Sequence, residues 1–143
     1  MLTYCVPFLG LSLFIEERNA DPITLRVAGR DGSLDLPPCV NARALVEALS
    51  RPLIVTRHKG LVEYLIERNP DLTSAEVIPH AGAAEVTGRI VIGVLPSHLA
   101  CLTWLHFEIP IHFPSSGARG SELTAAQVAE IAGPPRIYRV SGI

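Results

Sequence analysis

The sequence predicts an α/β fold in which a small, mainly parallel sheet is flanked by helices and preceded by an N-terminal extension of a hairpin plus a short helix. Three observations predict it. The apolar run Leu53-Ile54-Val55 stops at Thr56-Arg57-His58-Lys59-Gly60 and passes directly into a stretch from Leu61 with apolar residues at helical spacing. Arg89 to Leu95 is almost continuously apolar, the composition of a parallel strand covered on both faces. Both strands end in polar loops followed by helix starts, and in a parallel sheet those loops lie at one edge.

Taken in order, residues 1–50 read as an extension and residues 51–143 as the α/β domain. Leu9 to Ile15 reads as a strand, and Ile23 to Val27 alternates as a half-buried strand does. Gly29 to Ser33 is turn chemistry and Leu34-Asp35-Leu36 resumes the alternation, so a hairpin is expected. Asn41 is placed to cap a helix over Ala42–Leu49. Arg51-Pro52 ends that helix. After the first strand and helix of the domain, Asn69-Pro70-Asp71 breaks the pattern, and Glu76-Val77-Ile78 is a second strand ending at Pro79-His80-Ala81-Gly82. Pro96 stops the third strand, and Ser97 stands at an N-cap position before a helix from His98 to Trp104. Leu105 to Phe113 alternates as a strand, with Pro110 arguing for a sheet edge or a bulge. Thr124 caps a helix over Ala125–Ala132, Gly133-Pro134-Pro135 ends it, and Arg136–Val140 is a final strand.

Composition narrows the function. The chain has 143 residues, 48% of them hydrophobic, enough for one domain with a substantial core. The net charge is −2 and no block of consecutive Lys or Arg occurs, which argues against a general binder of long nucleic acid but leaves room for a local basic pocket. Cys5, Cys39 and Cys101 are widely spaced without metal-ligand or redox spacing, so they read as reduced, mostly buried residues of a cytosolic protein. The apolar start from Tyr4 to Ile15 is shorter than the roughly 20 residues that cross a bilayer and lacks the features of a secretory signal, so a cytoplasmic location without membrane contact is expected. The five histidines have no metal-ligand spacing, and no metal or cofactor is expected.

The turn after Val55 carries the chemistry. Thr56, Arg57, His58 and Lys59 crowd the start of a helix, where unpaired N–H groups and the positive dipole end favour an anion. Two fixed cations and an imidazole there suggest a phosphate ligand; the competing reading is an ordinary solvated loop.

From Leu53 to Val140 the chain resembles a small family of type III CRISPR-associated accessory proteins, the Csx family numbered sixteen. The residues that carry the likeness are Val55-Thr56-Arg57-His58 with Gly60 and Glu63-Tyr64-Leu65, His80, Val91-Ile92-Gly93 with Leu95-Pro96 and His98-Leu99-Ala100, Arg119-Gly120 with Glu122-Leu123-Thr124, and Tyr138-Arg139-Val140. The resemblance implies a Rossmann-like, CARF-related domain, a homodimer, and recognition of cyclic oligoadenylate. It further implies a ring nuclease that linearises cyclic tetra-adenylate and so ends type III CRISPR signalling. Residues 1–50 have no counterpart in the family.

On that reading a ribose 2′-hydroxyl attacks the adjacent phosphorus and expels the 5′-oxygen, leaving a 2′,3′-cyclic phosphate, a reaction that requires neither a metal nor added water. His58 is the first candidate for proton handling, because an imidazole ordinarily titrates near pH 6.5. Arg57 is the candidate phosphate clamp through its planar fork, against the alternative of an ion pair with Glu63. His80 is an acid partner or a base contact. Thr56, Lys59, Gly60, Leu95, Pro96, Ser97, His98 and Arg119 complete the expected ligand-binding set, Ser97 and His98 through backbone N–H groups and Arg119 from a loop that closes over the ligand. The rival reading is a protein of the same fold that binds the cyclic messenger without cutting it.

Overall fold

The computed structural model describes residues 2–19, 22–112 and 122–141. Within them the chain is a mixed α/β protein with two sheets and five α-helices. Strands β1 (Leu2–Phe8), β2 (Leu11–Glu17), β3 (Thr24–Val27) and β4 (Leu34–Asp35) pair antiparallel in sequence order. Helix α1 (Ala42–Leu49) follows, then β5 (Leu53–Val55), α2 (Lys59–Arg68), a 3-10 turn at Pro70–Ser74, β6 (Glu76–Ile78), α3 (Ala83–Val86), β7 (Ile90–Gly93), α4 (Ser97–Ala100), β8 (Leu105–Glu108), α5 (Ala125–Ile131) and β9 (Arg136–Tyr138). The second sheet has the order β6-β5-β7-β8-β9; its first three pairings are parallel and β8–β9 is antiparallel.

Helix α1 starts where the sequence predicts because its first turn is capped twice. Asn41 Oδ1 accepts from Ala44 N at 2.8 Å, a local cap, while Glu17 Oε2 at the end of β2 accepts from Ala42 N at 2.9 Å and docks the helix on the first sheet. Helix α5 opens with a reciprocal box: Thr124 Oγ1 accepts from Gln127 N and Gln127 Oε1 accepts from Thr124 N. Alternation along β5 and β7 then divides the interior. Ile54, Ile90 and Ile92 face a core shared with Phe107, Leu65, Leu45, Leu13 and Ile15, so both sheets and α1 and α2 bury one apolar mass. Leu53, Val55 and Val91 face the other way, under Val86 of α3 and Leu99 of α4.

The structure corrects several expectations. The N-terminal extension carries a four-stranded antiparallel sheet of its own and not a hairpin alone, and Leu2–Phe8 is its first strand; parallel pairings occur in the second sheet. The helix after β7 covers only Ser97–Ala100, its N-cap position is Pro96, and Ser97 makes no side-chain cap. β8 is interior, lying between β7 and β9, and Pro110 falls past its end, so the proline places no strand at an edge. The cysteines are free, but Cys5 and Cys39 are exposed and Cys101 is half-buried; spacing says nothing about which side of a strand or turn a small residue faces. No helix among the described residues is long and apolar enough to cross a membrane.

Candidate functional site

The order β6-β5-β7-β8 sends the chain from β5 to β6 on one side and, after crossing back, from β7 to β8 on the other. The crevice of an open α/β sheet opens at such a reversal, outside the carboxyl ends of the two diverging strands. Here those strands are β5 and β7, paired with Val55 opposite Gly93. Gly93 has φ +140°, and a Cβ on it would overlap the Val55 carbonyl oxygen, so glycine alone lets the two tips touch.

Beyond Val55 the chain is turned by its own side chains. Thr56 N donates to Ile78 O at 3.0 Å, extending the β5–β6 ladder by one bond. The Thr56 hydroxyl then accepts from His58 N at 3.1 Å, a side-chain turn that leads into α2. Arg57 and His58 are thereby held in the turn, exposed, with His58 at the N-cap position of α2 and its ring unbonded among the described residues. Arg57 Nη2 lies 3.3 Å from His80 Nδ1 at the end of β6. A guanidinium only donates, so Nδ1 accepts and the remaining imidazole proton of neutral His80 sits on Nε2. Arg57 forms no ion pair among the described residues, and the expected alternative with Glu63 is not seen.

These groups line a cleft of about 700 Å³. Its floor and near wall are Thr56, Arg57, His58 and His80 with Val94, Leu95 and Pro96. The far wall, Glu108 to Ile111, is one that sequence reasoning missed. It is pinned through α5: Gly133 N donates to Pro110 O at 2.8 Å and His112 N to Ile131 O at 2.9 Å. Its place across the cleft follows from β8 lying beside β7; in the sequence, the apolar Ile109-Pro110-Ile111 after Glu108 signals no more than a covered segment. None of the described residues of the first fifty lines the cleft.

Behind the near wall, buried His106 on β8 places Nε2 2.5 Å from Gly93 O. A carbonyl only accepts, so Nε2 donates, and the bond fixes the backbone at the point where the Val94–Pro96 segment leaves the sheet.

The remaining predicted residues are placed elsewhere. Lys59 begins α2 and, like Ser97 and His98, is exposed without lining the cleft. Gly60 is buried against α5, where a Cβ would overlap the Leu123 carbonyl; its smallness serves helix packing instead of a ligand. Arg119 lies outside the described residues. Among the described residues no group of three His, Cys, Asp or Glu side chains converges as a metal site.

Comparison with known protein families matches the part of the chain that holds the second sheet. The family model described as "Putative CRISPR-associated protein (Cas_VVA1548)" matches residues 53–141, from the first residue of β5 to just past β9. No curated protein and no solved structure matches the chain. With well over half of its length matched, the chain belongs to this family of CRISPR-associated proteins.

Proposed function

We propose that the chain is a ring nuclease of type III CRISPR systems, of the Csx family numbered sixteen, with a Rossmann-like domain that binds and linearises cyclic tetra-adenylate. The observation that carries the proposal is the cluster at the carboxyl tips of β5 and β6: an arginine without a carboxylate partner among the described residues, donating to His80, beside the unbonded ring of His58. Such a cluster suits a phosphodiester, because the guanidinium offers donors in a fork that matches two phosphoryl oxygens.

In this reading Arg57 holds the phosphate and stabilises charge that develops on its oxygens during attack. His58 takes the proton of the ribose 2′-hydroxyl as oxygen bonds to phosphorus. His80, with its proton on Nε2, donates to the departing 5′-oxygen or to a phosphoryl oxygen. One P–O bond forms and one breaks, leaving a 2′,3′-cyclic phosphate and a free 5′-hydroxyl. The half-buried Ile111 and the exposed Val94 offer apolar surfaces for adenine faces. A homodimer would bring a second Arg57 and His58 to a ring that is itself symmetric.

The test is incubation of the purified chain with cyclic tetra-adenylate in EDTA, with products followed by mass spectrometry. Linear fragments ending in 2′,3′-cyclic phosphate, lost in His58→Ala, are expected. Tight binding with an intact ring would make the protein a binder and not a nuclease, and neither binding nor cleavage would remove the proposal.

A further inference from the structure

The outer strand of the N-terminal sheet is a second surface, built for a different purpose from the cleft. Among the described residues β1 is a sheet edge of seven residues, Leu2-Thr3-Tyr4-Cys5-Val6-Pro7-Phe8, without a charge. Proteins usually shorten, charge or cover such an edge, because its unpaired N–H and C=O groups template pairing with another chain. The phase of that edge follows from β2. Ser12 O accepts from Ala28 N on the β3 side at 3.0 Å, so by alternation Leu11 and Leu13 turn their backbone groups to Phe8 and Val6 of β1. Thr3, Cys5 and Pro7 therefore point their backbone groups to the open edge. Tyr4 and Val6 stand opposite buried Ile15 and Leu13 and share their face of the sheet. Toward Phe8 that face is covered, but Leu2 and Tyr4 overhang it and are 59% and 39% exposed.

We infer that β1 is an isologous interface on which a second copy of this chain pairs antiparallel, with Tyr4 opposite Tyr4 across a two-fold axis. Pro7 counts against one alternative register. With Tyr4 at the axis, Thr3 of each copy opposes Cys5 of the other, and every group in these pairs can donate and accept. A slip that sets Cys5 opposite Cys5 would put each Thr3 carbonyl against a proline, which has no N–H. The chosen register also opposes Leu2 with Val6 on both sides of the axis, so Leu2, Tyr4 and Val6 of the two copies join in one apolar stripe. A groove of about 490 Å³ beneath Val6 and Phe8, walled by Val46, Leu49 and Leu72, receives the end of that stripe. A strand without charge meets its own copy without like-charge repulsion, and an isologous contact closes on itself. None of these residues lines the cleft, so the interface and the proposed nuclease site stand or fall separately.

Light scattering on the full chain without ligand, for wild type, Tyr4→Lys and Cys5→Pro, tests the inference. Cys5→Pro repeats the phase of Pro7 and leaves the hairpin's own bonds intact, while Tyr4→Lys sets like charges face to face at an exposed position. Each variant is expected at half the mass of the wild type with an unchanged circular dichroism spectrum. In a background with Cys5, Cys39 and Cys101 all replaced by Ser, Tyr4→Cys should form a disulfide-linked dimer and Leu2→Cys should not, because Cα atoms opposed in a non-hydrogen-bonded pair lie about 4.5 Å apart, within disulfide reach. A monomeric wild type, wild-type mass in both variants, or cross-linking through Leu2→Cys but not Tyr4→Cys overturns it.

Discussion

Replacing Gly93 by alanine tests the contact on which the cleft depends. The residue adopts φ +140°, and an added Cβ would overlap the carbonyl oxygen of Val55 on the paired strand. Both obstacles are backbone in the middle of a sheet, so no side chain can rotate away. The backbone strain costs about 1–3 kcal/mol and the overpacking about 1–3 kcal/mol more, so a loss near 4 kcal/mol is expected. With an unfolding entropy of about 2.1 cal/mol/K per residue, a chain of this length loses about 0.3 kcal/mol per degree, which puts the fall in Tm at about 13 °C. Gly29→Ala is the control. Gly29 also has positive φ, at +77°, but nothing stands within 4 Å of its Cβ position, so only the strain of about 1 kcal/mol, or about 3 °C, applies. Scanning calorimetry with circular dichroism reads both. A Gly93→Ala protein that melts no lower than Gly29→Ala would mean that the tips of β5 and β7 do not touch, and the cleft would lose its floor.

The other predictions concern the site and its supports. His58→Ala should slow ring cleavage by about 10²- to 10⁴-fold while leaving the affinity for the intact ring within a few-fold, as single-turnover kinetics and calorimetry would show. Arg57→Ala should lower both binding and rate, the rate by about 10²- to 10³-fold; equal loss of binding in the two variants would remove the assigned roles. His106→Phe leaves the Gly93 carbonyl without its donor in a buried place and should cost about 1–3 kcal/mol in thermal unfolding. Thr124→Ala removes one half of the box that opens α5 and should cost about 1 kcal/mol, lowering Tm by about 3 °C.

Legibility in the sequence followed the range of the forces involved. The starts of α1 and α5 were readable because Asn41 and Thr124 bond to backbone groups three residues away. β5, β6 and β7 were readable from short apolar runs bounded by turn residues, and the apolar side of α2 from its spacing. β1 was not. Its alternation, Leu2, Tyr4 and Val6 against Thr3, Cys5 and Pro7, is intact, but its hydrophobic residues are mostly exposed, so it resembles neither a buried nor a half-buried strand. The short helices failed likewise: α4 ends after four residues, where Cys101 N still bonds Ser97 O, although the residues up to Trp104 have no strong helix breaker.

The turn Thr56-Arg57-His58 belongs to the sequence alone: an apolar run that ends in polar residues before a helix must expose them, since burying unpaired charges would cost more than the fold can supply. The company that turn keeps was a matter of tertiary structure. The order β6-β5-β7-β8 put His80 against Arg57, Gly93 against Val55 and Glu108 to Ile111 across the cleft, and it left Lys59, Ser97 and His98 outside. Strand order depends on which apolar faces find each other across tens of residues, and no spacing within one segment encodes that.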